Sequence, residues 1–254
     1  MIHTKLQKPK INISTDKNYK SVKKMVQESY LNTVCAEARC PNIYECWNRK
    51  TATLMILGDT CTRACGFCSV KTGKPTWNDP LEPIRVAQAV KKMGLRHVVI
   101  TSVDRDDLKG DFGASIWADT IKQTKKVNPG CTVEVLTPDF KGFEPALKIV
   151  FDSKPDIFSH NVECVERISK AVRAQANWQR SLGVLEKSIQ HGLRTKTGIM
   201  VGLGEEVEEV KKTMRQVVDL GVQIFTIGQY LQPTKNHLKV EEYISKEQFE
   251  LYKE

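Results

Sequence analysis

The sequence predicts an α/β fold in which six βα units follow an N-terminal extension. From residue 51 onward, short β-branched runs alternate with longer segments of helical period, which is typical of repeated βα units. Each unit averages about 30 residues, enough for a strand, a crossover helix and two short loops. Unbroken alternation of this kind favours one parallel sheet with right-handed crossovers. We therefore divide the chain into an extension, residues 1–50, and a βα region, residues 51–254.

Six short apolar runs are the predicted strands. They cover residues 51–58, 97–103, 132–138, 156–161, 194–202 and 224–231. The predicted helices have apolar residues three and four apart, and they cover residues 82–94, 113–128, 143–153 and 205–221, with a further helical pattern over 21–34. Six units are too few for a closed eight-stranded barrel. This leaves a partial (β/α)6 TIM-type barrel or an open, doubly covered sheet; we favour the partial barrel, and in both folds ligands bind at the carboxyl ends of the strands.

Composition excludes several classes of protein. Hydrophobic residues make up 40% of the chain and charged residues 27%, which excludes a disordered or collagen-like chain. The longest unbroken apolar run, residues 54–57, is far shorter than the ~20 residues that cross a bilayer. The N-terminus has no apolar secretory core, so we expect a cytoplasmic protein. The net charge is +9, but aromatic residues are not interleaved with the N-terminal lysines, so we expect no nucleic-acid partner.

Cysteine is the residue whose distribution is unusual. Six of the eight cysteines fall within residues 35–68. They form two triplets: Cys35, Cys40 and Cys46, with spacing C-x4-C-x5-C, and Cys61, Cys65 and Cys68, with spacing C-x3-C-x2-C. In a reducing compartment, clustered thiols indicate metal ligands rather than disulfides.

The second triplet, CTRACGFC, lies in the loop that leaves the first predicted strand. Short cysteine spacings of this kind hold iron–sulfur clusters. Three cysteines leave one iron of a four-iron cluster without a protein ligand, and an open coordination position marks a site that binds something. A closed zinc site needs four ligands, which neither triplet supplies, although two zinc ions sharing six thiolates remain an alternative.

This spacing, placed after the first strand of six βα units, resembles the radical S-adenosylmethionine superfamily. Over residues 34–233, the sequence is similar to the lipoyl synthase family in several motifs. They are the first triplet in CAEARCPNIYEC and the later segments TSVDRDDL, VEVLTPDFKG, HNVE, MVGLGE and GQYLQP. The resemblance implies two [4Fe-4S] clusters. It implies that Cys61, Cys65 and Cys68 hold the cluster whose open iron binds S-adenosyl-L-methionine, which is split reductively to a 5′-deoxyadenosyl radical. It implies that Cys35, Cys40 and Cys46 hold an auxiliary cluster that is consumed as the sulfur source.

The resemblance also implies a substrate and partners. The substrate would be an octanoyl group on a lysine of a lipoyl carrier domain, in a 2-oxoacid dehydrogenase or a glycine cleavage protein, with sulfur inserted at C6 and C8. A low-potential donor such as ferredoxin or flavodoxin would supply electrons. Members of the family carry an R-S-S-Y segment whose serine is the fourth ligand of the auxiliary cluster, and this sequence contains no such motif. We therefore expect intact cofactor cleavage with impaired or labile sulfur insertion.

Further candidates come from residues near the ends of predicted strands. The resemblance implies that Asn161 and Glu163 contact the cofactor ribose. Gly202, Gly204 and Glu205 lie where the fifth strand enters a helix, so that backbone N–H groups there could meet a carboxylate or a ribose; an ordinary strand-to-helix turn is the alternative.

The remaining candidates are weighed residue by residue. The charged run of residues 104–107 follows the second strand, and we expect it to contact substrate or cofactor. We expect His160 to be a structural hydrogen-bonding residue. We expect Cys131 and Cys164, outside the triplets, to pack in the core.

Three other functions remain open from the residues alone. Another radical sulfurtransferase shares the same chemistry, but the first triplet lies before the barrel, which favours the family named above. A two-cluster electron carrier needs no open iron, and neither triplet has a fourth cysteine. A zinc-stabilised nucleic-acid module is the third alternative.

Overall fold

The computed structural model describes residues 13–28, 31–37, 40, 42–49 and 51–253. The strands, in chain order, are β1 (Asn32–Thr33), β2 (Thr53–Ile56), β3 (Thr60–Cys61), β4 (Lys71–Thr72), β5 (His97–Ser102), β6 (Thr132–Leu136), β7 (Ile157–Ser159), β8 (Thr195–Val201) and β9 (Ile224–Gln229). The helices are α1 (Lys17–Glu28), α2 (Val34–Glu37), α3 (Ile43–Asn48), α4 (Glu82–Met93), α5 (Ala114–Val127), α6 (Glu144–Asp152), α7 (Glu166–Val172), α8 (Trp178–Gln190), α9 (Val207–Asp219) and α10 (Lys246–Leu251).

The main sheet has the strand order β1-β2-β5-β6-β7-β8-β9. From β2 to β9 every pairing is parallel, and the spatial order of these six strands follows their order in the sequence. The prediction of an α/β fold with six parallel strands is therefore confirmed. Each strand is shorter than its apolar run; β2, for example, ends before Leu57 and Gly58, whose φ angles of 67° and 93° turn the chain away from the sheet.

The helices begin and end where local chemistry dictates. Helix α4 has a proline in its first turn and ends at Gly94, whose φ of 62° forms a left-handed cap. Helix α9 begins with a reciprocal capping box between Glu206 and Glu209. Helix α1 begins earlier than its pattern predicts, because the Asp16 carboxylate accepts hydrogen bonds from the backbone N–H groups that follow it; residues 29 and 30 of that pattern lie outside the described residues.

Two elements depart from the predicted βα rhythm. Helices α7 and α8 both lie between β7 and β8, where the sequence analysis names no helix. The loop after β2 contains a small parallel pair, β3 with β4, in which Thr60 pairs with Lys71. That loop also holds the second cysteine triplet. Because part of it forms a β-strand pair, it has more regular structure than the sequence predicts.

The N-terminal segment packs into the same core as the βα units. Strand β1 pairs antiparallel with β2, and Val22, Val26 and Trp47 belong to the buried apolar cluster that also contains Ile56 and Trp117. Full burial of an apolar side chain stabilises the fold by about 1.5–3 kcal/mol. A second buried cluster joins β8 with α8, α9 and the end of α10. No helix of the described residues is long and apolar enough to span a membrane.

Candidate active site

A cavity of about 410 Å³ lies at the carboxyl ends of the parallel strands. Its walls come from the strands β2, β5, β6 and β8, from the segments that follow β2, β5, β6 and β7, and from Val34 and Cys40 of the N-terminal segment. The cysteines that line it are Cys40, Cys61, Cys65 and Cys68. The cavity therefore brings one thiol of the first triplet into the same space as all three thiols of the second.

The second triplet is placed by β3 and the loop after it. The Cys61 sulfur accepts hydrogen bonds from the backbone N–H groups of Arg63, at 3.4 Å, and Asp104, at 3.3 Å. The Cys68 N–H donates to the Cys65 carbonyl at 3.1 Å, which closes a tight turn between these two cysteines. The sequence prediction that this triplet lies in the loop leaving the first parallel strand agrees with this placement.

The thiols of this triplet are chemically suited to a metal cluster. Burial, followed by the charge of Asp104, raises the pKa of Cys61 to about 11 and the pKa of Cys65 to about 12, and burial raises that of Cys68 as well. Thiols of this kind keep their protons at neutral pH unless a metal displaces them. A metal would therefore supply the positive charge that three buried sulfurs need.

The donor set fits a cluster better than a single ion. Among the described residues, no three Cys, His, Asp or Glu side chains surround a point where one metal ion would bind. The ligands of one zinc ion each lie ~2.3 Å from it and so crowd together. Three thiols are also one ligand short of a closed zinc site, whereas a four-iron cluster can bind three cysteines and keep one iron open.

A buried guanidinium fastens the loop. The Arg63 side chain is 5% exposed and binds both oxygens of Asp106, each at 2.9 Å, and one oxygen of Asp139, at 2.7 Å. It also lies 3.3 Å from Asp104. Burial opposes the charge of Asp139, but the Arg63 hydrogen bonds outweigh it and hold the pKa of that carboxyl well below its usual range. Arg63 thus joins the cysteine loop to the segments that follow β5 and β6.

The expectation for the charged run of residues 104–107 needs correction. Only Asp104 lines the cavity; burial raises its pKa to about 6, against the attraction of Arg63. Asp106 is bound to Arg63, while Arg105 pairs with Asp107 at 2.8 Å and donates to the Leu57 carbonyl. Three of the four charges therefore hold loops together instead of facing the cavity, because buried charges need partners.

Asn161 and Glu163, which follow β7, both line the cavity. The Glu163 backbone is held in place by two hydrogen bonds to β8, from its own N–H to Gly198 and from the Met200 N–H to its carbonyl. Its φ of 68° is unusual for a side chain of this size, and strained conformations of this kind cluster at functional sites. Burial raises the pKa of Glu163, and this is opposed by Arg173 and Asn161.

Arg173 is a cavity residue that sequence reasoning missed. It is 5% exposed, lines the cavity, and donates to the Asn161 carbonyl and the Ser181 hydroxyl, both at 3.2 Å. Nothing in its sequence context distinguishes it from a solvated arginine. His160 is confirmed as a structural hydrogen-bonding residue, since its Nδ1 lies 2.9 Å from the Thr137 carbonyl and its Nε2 lies 3.1 Å from the Ser181 hydroxyl.

The turn after β8 lies outside the lining described for the cavity. The Glu205 carboxylate accepts hydrogen bonds from the N–H groups of Gly202, at 2.5 Å, and Leu203, at 2.9 Å. These N–H groups are therefore occupied by the turn's own side chain. Gly202 has a φ of 96°, and a Cβ there would overlap the Glu242 carbonyl. The cofactor role of Gly202, Gly204 and Glu205 stays a prediction.

The first triplet lies on short elements of the N-terminal segment. Cys35 is buried in α2, Cys46 lies in α3, and Cys40 lies between them. The Cys40 N–H donates to the Cys35 carbonyl at 3.1 Å. Burial raises the pKa of Cys40 and that of Cys46, and the neighbouring thiols add to both shifts. Cys131 and Cys164 are buried elsewhere, as predicted.

Comparison with known proteins identifies the family. The model of the radical SAM superfamily matches residues 55–217. A lipoyl synthase from Rubrobacter xylanophilus is 55% identical over 246 residues, which cover 96% of this chain and 76% of that protein. A mitochondrial lipoyl synthase from Nematostella vectensis is 51% identical over 249 residues, which cover 96% of this chain and 85% of that protein.

Solved structures agree on the fold. Streptococcus suis SuiB bound to S-adenosylmethionine has a TM-score of 0.63 at 10% identity, over 84% of this chain and 49% of that one. HydG, a maturase of the [FeFe]-hydrogenase, has a TM-score of 0.63 at 12% identity, over 94% of this chain and 60% of that one. At these identities the likeness concerns the fold alone. The sequence relatives carry the further conclusion: this chain belongs to the lipoyl synthase family of the radical SAM superfamily.

Proposed function

We propose that this chain inserts two sulfur atoms, at C6 and C8, into a protein-bound octanoyl group by radical S-adenosylmethionine chemistry. The observation that carries the proposal is the single cavity lined by Cys40 of one triplet and by Cys61, Cys65 and Cys68 of the other. Hydrogen abstraction at one centre and sulfur transfer from another require both centres to reach the same carbon chain. The lipoyl synthases at 55% and 51% identity support the same reaction.

We infer two [4Fe-4S] clusters. Cys61, Cys65 and Cys68 would hold the first cluster and leave one iron for S-adenosylmethionine; Cys35, Cys40 and Cys46 would hold the auxiliary cluster. When bound, the first cluster and its cofactor supply the means to abstract hydrogen from a saturated carbon, for which no side chain is strong enough. The raised pKa values of Cys40 and Cys65 support this assignment, since thiols of this kind keep their protons until a metal displaces them.

The other cavity residues bind, orient and exclude water. The Glu163 carboxylate suits the paired hydroxyls of a ribose, and Asn161 lies beside it. The neighbouring Arg173 side chain places a positive charge near both. Met55, Leu136 and Met200 line the same cavity, and their apolar surfaces fit an eight-carbon chain and keep water from a reactive centre.

We also propose the architecture that serves this site. The βα region, residues 51–254, forms a partial (β/α)6 barrel, and residues 1–50 form an extension over its mouth. The sequential order of six parallel strands supports the first statement. Val34 and Cys40 in the cavity lining support the second. The partners would be octanoylated lipoyl carrier domains and a low-potential electron donor such as ferredoxin or flavodoxin.

The test uses the full chain reconstituted with iron and sulfide without oxygen. Incubation with S-adenosylmethionine, dithionite and an octanoyl-lysine peptide should release 5′-deoxyadenosine and convert the peptide to its dithiol product, both measured by mass spectrometry. Because the sequence contains no R-S-S-Y serine, we expect less dithiol product than the released 5′-deoxyadenosine would support. Cluster absorbance without 5′-deoxyadenosine release would instead support the electron carrier. Tightly bound zinc in place of iron would support the zinc-stabilised module and overturn the proposal.

A further inference from the structure

The segment that follows β9 crosses the loop of the second cysteine triplet. We name residues 230–238 the strap. The Leu238 N–H donates to the Gly66 carbonyl at 2.9 Å, and the Leu238 side chain lies so close to Gly66 that a Cβ there would stand 2.9 Å from Leu238 Cγ. Further along the loop, His237 Nε2 lies 3.0 Å from the Cys68 carbonyl. The strap therefore contacts the turn between Cys65 and Cys68 at two points.

The strap is held in one shape by its own hydrogen bonds. The Tyr230 hydroxyl donates to the Leu238 carbonyl at 2.8 Å, and the Gln232 side chain donates to the His237 carbonyl at 2.9 Å. The His237 N–H donates to the Thr234 carbonyl at 3.1 Å, which closes a turn. The ring of His237 is thus presented to the cysteine loop by a preformed segment.

The partners of His237 determine which ring nitrogen donates. A carbonyl oxygen only accepts, so Nε2 must carry the hydrogen that bonds to Cys68. Nδ1 of the neutral ring is then an acceptor, and it lies 2.8 Å from the Thr234 hydroxyl, which can donate to it. Thr234 therefore orients the ring, and the ring orients the Cys68 backbone.

We propose that His237 is a positioning residue for the cluster on Cys61, Cys65 and Cys68, acting through the Cys68 carbonyl. This inference rests on the proposed function, because it assumes that a cluster binds there. The bond to His237 sets the peptide plane that follows Cys68 and hence the direction in which its thiolate points. The loop itself supplies the short turn from Cys65 and a backbone hydrogen bond from Val70 to the Cys68 sulfur, and His237 of the strap holds the Cys68 carbonyl from outside the loop.

The test isolates this one cluster. The parent is the full chain with Cys35, Cys40 and Cys46 replaced by Ala, so that bound iron reports only the second triplet. Variants are His237→Ala, His237→Gln, whose amide can still donate to the carbonyl, and Thr234→Val. After reconstitution we would measure the rate of iron loss to a chelator and the electron paramagnetic resonance spectrum of the reduced cluster, with and without S-adenosylmethionine.

Partners that orient metal ligands typically contribute 10- to 100-fold to metal affinity. His237→Ala should therefore lose iron about 10-fold faster than the parent and show an altered spectrum on addition of S-adenosylmethionine. His237→Gln should restore most of the parent's iron retention and spectrum. Thr234→Val should show effects between those of His237→Ala and His237→Gln. His191→Ala is the matched control, because that ring pairs with Asp152 and lies far along the chain from the cysteine loop.

The outcomes separate the two hypotheses. If the parent forms a cluster and His237→Ala keeps iron and spectrum unchanged, the positioning role is wrong and the proposed function stands. Equal loss in the Ala and Gln variants also contradicts it, because a general packing defect would then explain the result. If the parent takes up no cluster, the proposed function fails and this inference fails with it.

Discussion

The two cysteine triplets are held by different kinds of contact. The loop of Cys61, Cys65 and Cys68 is held by segments far away in the sequence. These are the carboxylates that bind Arg63, and the strap. In addition, the Val172 carbonyl accepts a hydrogen bond from the Gly66 N–H, and the Gln175 side chain accepts one from the Ala64 N–H. In the first triplet, Cys35 lies in the short helix α2, Cys46 lies in the short helix α3, and Cys40 lies between them. Helix α3 packs against α1 through Tyr19, whose ring lies 5.3 Å from those of Tyr44 and Trp47.

This difference suits the two tasks that we propose for the triplets. A site that must present one iron to a cofactor through repeated turnovers benefits from ligands fixed by surrounding contacts. A site that gives up its sulfur must lose and regain its cluster, and short elements packed by aromatic side chains can open without breaking a buried ion pair. The Ser69 hydroxyl donates to the Glu37 carbonyl at 2.8 Å and so links the two regions directly.

The largest expected effect separates the triplets by role. Cys61→Ala should abolish 5′-deoxyadenosine release, because in the proposed assignment Cys61 is a ligand of the cluster that binds the cofactor. Cys40→Ala should keep that release and abolish formation of the sulfur-containing product. Both products are measured by mass spectrometry in one reaction with an octanoyl-lysine peptide.

The matched control is Cys131→Ala, which removes a buried thiol that belongs to neither triplet. It should leave both yields unchanged. If Cys40→Ala and Cys61→Ala lose 5′-deoxyadenosine release equally, the two triplets do not have separate roles and the assignment is wrong.

The second prediction concerns Arg63, the buried charge that links the loop of Cys61, Cys65 and Cys68 to its neighbours. Arg63→Met leaves Asp104, Asp106 and Asp139 without their shared cation, and breaking a buried ion pair costs about 3–5 kcal/mol. Urea denaturation of the metal-free protein should show this loss in the free energy of unfolding, with a smaller loss for Arg63→Lys. Arg167→Met is the control, since Arg167 makes the same two-fold contact with Glu209 at the surface. Equal losses for Arg63→Met and Arg167→Met would show that burial of the Arg63 network contributes nothing.

The third prediction is an acid sensitivity that originates in the βα region. Burial lowers the pKa of His160 to about 4 from its ordinary value of 6.5. Above pH 6.5 the ring is neutral in both the folded and the unfolded state. As the pH falls towards 4, only the unfolded chain gains the proton, so the free energy of unfolding falls by up to roughly 3 kcal/mol. The raised pKa of Asp104 acts in the opposite direction over the same range. The measurement is therefore the difference between the wild-type and His160→Gln stability curves of the metal-free protein.

That difference should shrink or change sign as the pH is lowered from 6.5 to 4, because the Gln variant has no proton to gain at this position. A difference that stays constant across this range would show that His160 is not held neutral in the fold.

Much of the fold was predictable because parallel strands buried on both faces appear as short apolar runs. The positions of the six cysteines were predictable for a similar reason, since their spacing is local. The partners of Arg63 were not, because Asp106 and Asp139 lie 43 and 76 positions away in the sequence. A charged run such as residues 104–107 has the same appearance whether it faces a ligand or another loop.

The strap shows the same limit. The motif GQYLQP was visible in the sequence, but the contact from His237 to Cys68 spans 169 positions, and no periodicity or spacing reports it. The sequence analysis named no helix between β7 and β8, although two helices, α7 and α8, lie in that connection.

The smallest predicted effect compares an added Cβ at Gly66, beneath the strap, with an added Cβ at Gly183, which has open space around it. In Gly66→Ala the new Cβ would meet Leu238 Cγ at 2.9 Å, so the strap must shift, and overpacking of this kind costs about 1–3 kcal/mol. Gly183→Ala is the control, because nothing lies within 4 Å of its Cβ and it occupies the interior of α8. Alanine there should stabilise the protein by about 0.5–1 kcal/mol, the opposite sign. Adding Leu238→Ala to Gly66→Ala should recover part of the lost free energy of unfolding, measured by urea denaturation. If the double variant instead loses the sum of the two single losses, Gly66 and Leu238 do not contact each other and the strap does not lie on the loop.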